Sequence, residues 1–488
     1  MKKYASILAV LVLLLGLSAL AYAVPAEIPA DTTAVIAKGK TQITLGGELR
    51  FRGMYGSNLD VKDEGFYGTE KLSYKDPLSG EIFSVSVPKS KNTAYYDYRV
   101  RLSLEAKVSP NTTGYIELET GDWDKDTAIW GSKTGGARGV YVLGNTKETS
   151  LFVRQAWIQY QGTGLLGVPA GVKVGRQLIK LGYGLFYDHT YFGDDAILAF
   201  VQPMKELTLA VAHIKWLEGS NVLNDDATGW VLLGAYAGKG FGISADISYV
   251  DHQKLSHVYD KVGEGFMPLH LWNFGLRGNV DDIAGTGLSF RADVEFQTGK
   301  LDNPFGDDPK FKGWAAMAGL DYKFKAMPLS LTLEYAIGSG NPSDFDINNS
   351  DKNDIKAFIT ALGQEQHYTF IYEYFAPSAC NFLNNKRTGL CNTQYVKFGG
   401  AYDITKDLKA ELYGYWLRAH KAVAINGYTE KSKDLGWEVD AKVTYKIDKG
   451  LTYFVEGGYF WPGDAYKLKD NKDPDDAWAV RHGIQLRF

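Results

Sequence analysis

The sequence predicts an all-β fold, a transmembrane antiparallel β-barrel of about 18 strands with short periplasmic turns and long extracellular loops. Three observations predict it. Apolar and polar residues alternate along many segments, the connections between these segments are alternately short and long, and the last alternating segment ends on Phe488. A membrane-spanning strand of a barrel shows this period of two because one face meets lipid while the other faces the lumen.

The beginning of the chain has the organisation of a secretory signal peptide. Two lysines precede an apolar run over 7–20, and Ala21-Tyr22-Ala23 supplies the small residues that a signal peptidase reads. The run is shorter than the roughly 20 residues that a membrane-spanning helix needs, which disfavours the alternative of an uncleaved anchor. The expected division is a signal peptide over 1–23, a periplasmic segment over 24–40 and the barrel over 41–488.

Composition and charge agree with an exported barrel in the bacterial outer membrane. Aromatic residues make up 14% of the chain, with 31 tyrosines, and such amphipathic rings are favoured where lipid meets water. Outer-membrane lipid is therefore an expected partner. The formal net charge is −4, so no basic field indicates a nucleic-acid partner.

Four segments alternate most clearly, namely 42–55, 96–107, 288–297 and 435–447. In each, the apolar residues at every second position are expected to face lipid and the charged residues between them to face the lumen. A soluble β-sandwich also alternates, but its apolar faces turn toward a shared core. The alternation alone therefore leaves both folds open.

The connections decide between the two folds. Tight turns are expected at 109–111, 238–240, 325–328, 403–407 and 448–450, and long polar loops at 56–93, 121–148, 251–267, 298–312, 338–393, 419–434 and 462–476. This regular change of length is typical of outer-membrane barrels, which have an even strand number and both chain ends in the periplasm. Segment 366–375 is strand-like, but alone it would make the number odd. We assign it to the long loop, with a barrel of about 20 strands as the alternative.

The C-terminal residues indicate how the barrel is assembled. Trp478, Val480, Ile484, Leu486 and Phe488 share one face of the last segment, and the chain ends on an aromatic ring. Such an ending resembles the signal by which outer-membrane barrels are recognised, so the barrel-assembly machinery is an expected partner through Phe488.

The two cysteines, Cys380 and Cys391, are expected to form a disulfide because the chain is exported to an oxidising compartment. No metal site and no cofactor is expected. The Asp-rich stretch 344–351 lacks the Gly and Glu of an EF-hand loop, so a solvated loop is preferred to a calcium site.

A barrel of this size holds an aqueous channel, so inward-facing charges are the candidate pore-lining residues. The alternation places there Glu48, Arg50, Arg52, Asp97, Arg99, Arg101, Glu117, Glu119, Arg291, Asp293 and Glu295. A wall of arginines favours anions, since the guanidinium donates two parallel hydrogen bonds to a carboxylate or phosphate. The alternative is that the arginines only pair with neighbouring acids and fill space.

Two further arginines, Arg154 and Arg176, break the alternation because they share the parity of apolar neighbours. A charge that faces lipid at the bilayer midplane costs about 2–4 kcal/mol. Such an arginine must lie at a strand end or be turned inward by a β-bulge. For Arg176 we expect the bulge, and we include it among the pore-lining residues.

Short motifs around residues 150–200 resemble a known family. Arg154-Gln155-Ala156-Trp157, Gly175-Arg176-Gln177, an aromatic Gly-rich stretch over 182–188 and a further motif over 192–196 follow one another in the order seen in alginate-export-like porins. That family is similar to the broader group of substrate-specific outer-membrane porins. The resemblance implies an 18-stranded barrel with a charged lumen and passive diffusion. Its best-known members handle a polyuronate at an arginine-rich constriction, whereas the lumen here is also rich in carboxylates.

The sequence thus predicts a porin that passes small hydrophilic solutes, with a lean toward anionic ones. A loop within 178–195 is expected to fold inward and narrow the pore through Tyr183, Phe186, Tyr187 and Asp188. No enzyme is expected, because neither a Gly-x-Ser-x-Gly elbow nor a His-Glu-x-x-His motif is present. The alternative function is a structural sheath or docking scaffold for a periplasmic or electron-transfer partner.

Overall fold

The computed structural model describes residues 35–38, 41–61, 69–75, 82–88, 91–121, 128–129, 150–164, 167–219, 225–253, 268–303, 306–347, 349, 351–361, 368–382 and 388–488. The expected signal peptide lies outside the described residues, as does the expected periplasmic segment except for 35–38. Among the described residues, no helix is long and apolar enough to span a bilayer.

The described residues form mainly β-strands, with 3-10 turns at Ile283–Gly285 and Asp464–Tyr466. The strands are β1 (Val35–Lys38), β2 (Thr41–Ser57), β3 (Thr69–Lys75), β4 (Ile82–Pro88), β5 (Asn92–Ser109), β6 (Thr112–Gly121), β7 (Ala128–Ile129), β8 (Ser150–Thr163), β9 (Pro169–Gln177), β10 (Asp194–Met204), β11 (Leu207–Leu217), β12 (Ala227–Gly238), β13 (Phe241–His252), β14 (Leu269–Val280), β15 (Leu288–Leu301), β16 (Trp314–Lys323), β17 (Leu329–Gly338), β18 (Thr393–Asp403), β19 (Leu408–Val423), β20 (Ser432–Asp448), β21 (Leu451–Pro462) and β22 (Ala477–Arg487).

Eighteen of these strands close into an antiparallel ring. The ring consists of all strands except the short β1, β3, β4 and β7, and each ring strand pairs with the next one in the chain. The ring closes where β2 pairs with β22, from Glu48↔Arg487 to Ser57↔Trp478. Because the first and last barrel strands pair, the ring leaves no free edge between them, as a spanning sheet requires. The predicted fold class is confirmed.

The connections alternate in length around the ring. Those at one end are 110–111, 164–168, 205–206, 239–240, 281–287, 324–328, 404–407 and 449–450, whereas those at the other end are 58–91, 122–149, 178–193, 218–226, 253–268, 302–313, 339–392, 424–431 and 463–476. The shorter ones mark the periplasmic end of bacterial barrels. The described part of 366–375 forms turns within connection 339–392 and adds no strand, so its assignment to the loop is confirmed.

The outward face of the barrel is apolar and the inward face is polar. Ile158 and Leu232 are 65% and 58% exposed, whereas the inward-facing Asp97 and Asp293 are 1% and 0% exposed. Large apolar side chains exposed on this scale carry a high cost in water but meet hydrocarbon in a membrane. The alternation therefore follows from lipid on one side and polar, paired side chains on the other.

The chain ends meet near the periplasmic end. The backbones of Gly47 and Phe488 exchange hydrogen bonds of 2.9 and 3.2 Å. A Cβ atom on Gly47 would lie 2.7 Å from the Phe488 ring, so a larger residue would collide with the last side chain. Below this point β1 takes the place of β22, pairing with 41–44 at the start of β2.

Candidate functional site

A wall of paired charges lines the lumen along β2, β5 and β6. The Arg52 guanidinium donates two hydrogen bonds to Asp97, of 2.8 and 2.9 Å. Next to it, Arg99 Nε donates to Glu48 at 2.8 Å. Both pairs are almost fully buried, because the side chains lie against one another along the wall. The Arg52–Asp97 pair is fork-shaped, with two parallel hydrogen bonds, and pairs of this kind are among the strong arginine–carboxylate contacts.

The wall continues from Arg101, which pairs with Glu119. Glu117 accepts hydrogen bonds of 2.6 Å each from Arg154 and from the Gln155 amide. The charged residues predicted on the first strands, including the buried Arg50, therefore lie together on one face of the barrel. Each pairing joins neighbouring strands, so the charges also tie the strands together.

Arg154 reaches this wall through a β-bulge. The pairing of β6 with β8 shifts between Glu117↔Gln155 and Leu118↔Val153, which leaves Arg154 as the extra residue. The bulge turns its guanidinium inward, where Arg154 is 9% exposed. One of the two explanations for a misplaced arginine thus applies here.

Arg176 lies at a strand end on the outward side, so the expectation that a β-bulge turns it inward is wrong. It lies next to the last residue of β9, on the outward side shared with Val174, and pairs at 2.9 Å with Asp195 near the start of β10. Both side chains are well exposed, at 40% and 57%. Because the pair is at the strand ends, no charge has to face the hydrocarbon midplane.

A second cluster lies across the ring on β13, β14 and β15. Arg277 contacts Asp246, donates to Glu295 at 2.5 Å and lies 3.3 Å from Asp293. All three carboxylates are at most 3% exposed. Asp293 and Glu295 were predicted to face inward, whereas Arg277 and Asp246 were missed. The alternation along β14 of Trp272, Phe274 and Leu276 with polar residues is a signal that could have identified Arg277.

Arg291, which was also predicted to line the pore, organises a third group. It pairs with Asp321 and, at 2.6 Å, with Glu334. The other oxygen of Glu334 accepts a hydrogen bond of 2.7 Å from the Tyr395 hydroxyl. These contacts connect β15 to β18 through side chains on the lumen face.

The loop between β9 and β10, residues 178–193, crosses the interior. Its residues Phe186, Tyr187 and Asp188 are buried, and Tyr183 is 36% exposed. The Tyr183 amide donates to Asp293 Oδ2 at 3.1 Å. Asp293 belongs to β15, five strands beyond β10 in the ring, so the loop tip has reached a distant wall. The geometry agrees with a constriction loop.

The tip of this loop and its return to β10 are both fixed to the lumen wall. At its far end, Gly182 adopts φ +51°, and a Cβ atom there would lie 2.1 Å from Arg277 Nε. Near its return to β10, Arg154 donates to the carbonyls of Thr190 and Tyr191, the latter at 2.9 Å. The position of the loop therefore depends on two arginines of the lumen.

A second inward segment, within connection 339–392, was not predicted. Gln297 of β15 exchanges hydrogen bonds of 2.9 and 2.6 Å with the backbone of Ile359. Further along, the amides of Phe370 and Tyr372 donate to Asp440 and Glu438 of β20, at 3.0 and 2.8 Å. The aromatic cluster in 368–375 was a signal, but its contacts are far apart in sequence.

The two inward segments touch. The Ala361 amide donates to the Phe186 carbonyl at 3.0 Å. The two inward segments therefore pack against each other in the interior of the ring.

Burial raises the pKa of the Tyr372 phenol above its usual value, so its hydroxyl stays protonated and can form a hydrogen bond of 2.8 Å with the Thr393 hydroxyl.

Cys380 and Cys391 form a disulfide bond whose Cα atoms are 4.9 Å apart. It closes a loop directly after the second inward segment, where Asn392 donates to the Ala379 carbonyl at 2.7 Å. In the Asp-rich stretch, Asp344 pairs with Lys352 at 3.3 Å, and this pair lowers the pKa of the Asp344 carboxyl. Within the described ranges, no group of three or more His, Cys, Asp or Glu side chains could hold a metal ion.

Comparison with known proteins agrees with this architecture. The alginate export family model matches residues 252–480, which lie C-terminal to the motifs around 150–200. Two Pseudomonas aeruginosa crystal structures, OccK9 (OpdG) and OpdL, are 11% and 12% identical, each covering 91% of this chain and 98% of the other, with TM-scores of 0.50. These two structures show the fold. No curated protein matches the chain significantly. The chain resembles the alginate-export group, and it is an outer-membrane β-barrel.

Proposed function

We propose that this outer-membrane barrel, which resembles the alginate-export porins, is a diffusion channel for small hydrophilic solutes that prefers anions. The family match and the fold indicate a channel rather than an enzyme. What we add is the preference and the residues that produce it. The observation that carries the proposal is the continuous wall of charge on β2, β5, β6 and β8.

This wall has a net positive charge. It holds five arginines against four carboxylates, namely Arg50, Arg52, Arg99, Arg101 and Arg154 with Glu48, Asp97, Glu117 and Glu119. Lumen walls with an excess of arginine favour anionic solutes. A low-dielectric wall focuses that field into the water of the channel.

The opposite wall is acidic. On β13 to β15 a single arginine, Arg277, faces three carboxylates. The two walls together produce a field across the channel, which orients a solute so that its anionic group points toward β2 and β5. The inward segments bring solutes close to these walls, where the field acts most strongly.

The test is planar-bilayer recording with the purified full-length protein in a tenfold gradient of potassium chloride. We expect stepwise conductance and a reversal potential that reports a preference for chloride over potassium. Arg101→Gln, which removes a partly hydrated charge from the wall, should lower the preference by about twofold, the change expected for one charge about 10 Å from the ion path in water. Arg176→Gln is the matched control, because that arginine lies on the outward side.

Two results would count against the proposal. Absence of conductance would reject the channel and favour the sheath or docking scaffold. Conductance with no preference, or with equal effects of both variants, would reject the role of the arginine wall while leaving the channel in place.

A further inference from the structure

The cationic side chains of the lumen differ in whether a carboxylate lies within hydrogen-bonding distance. Most of its arginines already have a carboxylate partner within hydrogen-bonding distance, namely Arg52, Arg99, Arg101, Arg154, Arg277, Arg291 and Arg481. To bind any of these arginines, a passing anion would have to compete with the carboxylate that already pairs with it. Two inward-facing lysines in the middle of their strands, Lys173 and Lys397, differ in this respect.

Lys397 lies on the lumen side of β18, between the inward-facing Tyr395 and Gly399, since Phe398 points outward. Its neighbour across the strand pair is Glu334. That carboxylate is already bound by Arg291 at 2.6 Å and by Tyr395 at 2.7 Å.

The next carboxylates on neighbouring strands are engaged too. Glu411 accepts a hydrogen bond of 2.9 Å from Lys409, and one oxygen of Asp440, Oδ2, accepts a hydrogen bond of 3.0 Å from the Phe370 amide. The Lys397 ammonium instead lies over aromatic rings, 4.3 Å from the centre of Tyr413 and 5.6 Å from that of Tyr415.

Lys173 has the same kind of surroundings. It lies on the lumen side of β9 between the outward-facing Val172 and Val174. Its ammonium is 4.1 Å from the centre of the Trp157 ring, which itself stacks on Tyr115. The register neighbours of Lys173 are Gln159 and Leu198, so neither is acidic.

The two lysines lie on opposite walls of the ring. Of the eighteen ring strands in order from β2, β9 is the fifth and β18 the fourteenth. Among the described residues, neither ammonium has an ion pair or a side-chain hydrogen bond. A contact with an aromatic face orients the ammonium without occupying all of its N–H donors.

We propose that Lys173 and Lys397 are the specificity-determining residues of the channel, which contact the carboxylate or phosphate of a passing organic anion. The inference rests on the proposed function and deepens it. The paired arginines produce the field and hold the walls and loops, whereas the lysines donate hydrogen bonds to the anionic group of the solute. An anion needs no carboxylate to be displaced at these two points.

The test compares Lys173→Gln, Lys397→Gln and the double variant in the same bilayer assay, with chloride and with acetate as the permeant anion. Each single variant should lower the anion-to-cation permeability ratio by about twofold, and the double variant by about fourfold. Lys397→Arg should retain the ratio. Lys239→Gln, in the turn between β12 and β13, removes the same charge outside the lumen and should leave the ratio unchanged.

The outcomes separate the two proposals. If the wild-type protein conducts and prefers anions but the double variant has the wild-type ratio, the lysine inference is overturned and the channel stands. The same holds if Lys239→Gln has as large an effect as the lumen variants. If the wild-type protein does not conduct, the proposed function fails as well. Heat-modifiable migration in a gel verifies that every variant is a folded barrel.

Discussion

Replacing Arg277 with methionine tests whether the buried charge cluster stabilises the barrel. The guanidinium is the only cation in contact with Asp246, Asp293 and Glu295 among the described residues. All three carboxylates are at most 3% exposed, so water cannot replace the lost arginine. Methionine fills a similar volume and adds no charge.

The expected loss of stability is large. Removing one partner of a buried ion pair costs about 3–5 kcal/mol, because the remaining charge stays buried without compensation. Uptake of a proton by one of the carboxylates limits the cost but does not remove it. Arg176→Met is the matched control, since the Arg176–Asp195 pair is well exposed and such pairs contribute about 0–1 kcal/mol.

The assay is equilibrium unfolding by urea of the protein refolded into lipid vesicles, followed by tryptophan fluorescence, for which the chain offers 11 tryptophans. We expect the free energy of unfolding of Arg277→Met to fall several kcal/mol further than that of Arg176→Met. A second readout is the channel current, which should become noisier because Gly182 packs against this arginine. The reasoning is refuted if both variants unfold within about 1 kcal/mol of each other.

Three further predictions follow from the inward segments and the chain end. Gly182→Ala should displace the tip of loop 178–193 and raise single-channel conductance, because the new Cβ would collide with the Arg277 side chain and Gly182 has a φ of +51°. Gly285→Ala is the control, because Gly285 has a φ of +71° but open space around it. Equal conductance of the two variants would contradict this prediction. Replacing both cysteines with alanine should destabilise the second inward segment by up to about 3 kcal/mol, seen as faster hydrogen exchange of the Tyr372 amide, and unchanged exchange would exclude a stapling role. Phe488→Ala should lower the yield of folded barrel in cells if the assembly machinery reads this ring; Phe398→Ala is the control because the two rings are 58% and 57% exposed, and equal yields would argue against recognition of the last residue.

The strands could be predicted from sequence because their pattern is local. Lipid on one side and water on the other select residues with a period of two, so each strand carries its own signal. The closure of β2 on β22 followed from the same pattern together with the even strand number. Even Arg277 was accessible to this reasoning, since the outward-facing Trp272, Phe274 and Leu276 define the parity of β14.

The orientation of Arg154 and Arg176 could not be predicted in this way. Both arginines share the parity of apolar neighbours, and the sequence around each is compatible with either orientation. The difference lies in a register shift between β6 and β8, which requires the partner strand to be known. A bulge is a property of a strand pair, so one strand alone does not reveal it.

The second inward segment was missed for a related reason. Its backbone is held by Gln297 and Glu438, which lie 62 and 66 residues away from Ile359 and Tyr372 in the sequence. Within the segment itself no period indicates that it folds into the barrel. Turn-forming and aromatic residues are also compatible with an external loop. Only the carboxylates on the barrel wall that bind the segment's amides distinguish an inward position from an external one.

These contacts assign different roles to lumen charges that look alike in the sequence. A carboxylate that accepts backbone amides, such as Glu438, is occupied by the protein's own chain and cannot bind a solute without releasing the inward segment. The same holds for Arg154, which binds loop carbonyls as well as Glu117. A cation held only by an aromatic ring loses little when an anion approaches. The number of lumen charges therefore does not by itself identify the residues that contact a solute. Lys173 and Lys397, whose ammonium groups have no ion pair or side-chain hydrogen bond among the described residues, are better targets for that test than any of the paired arginines.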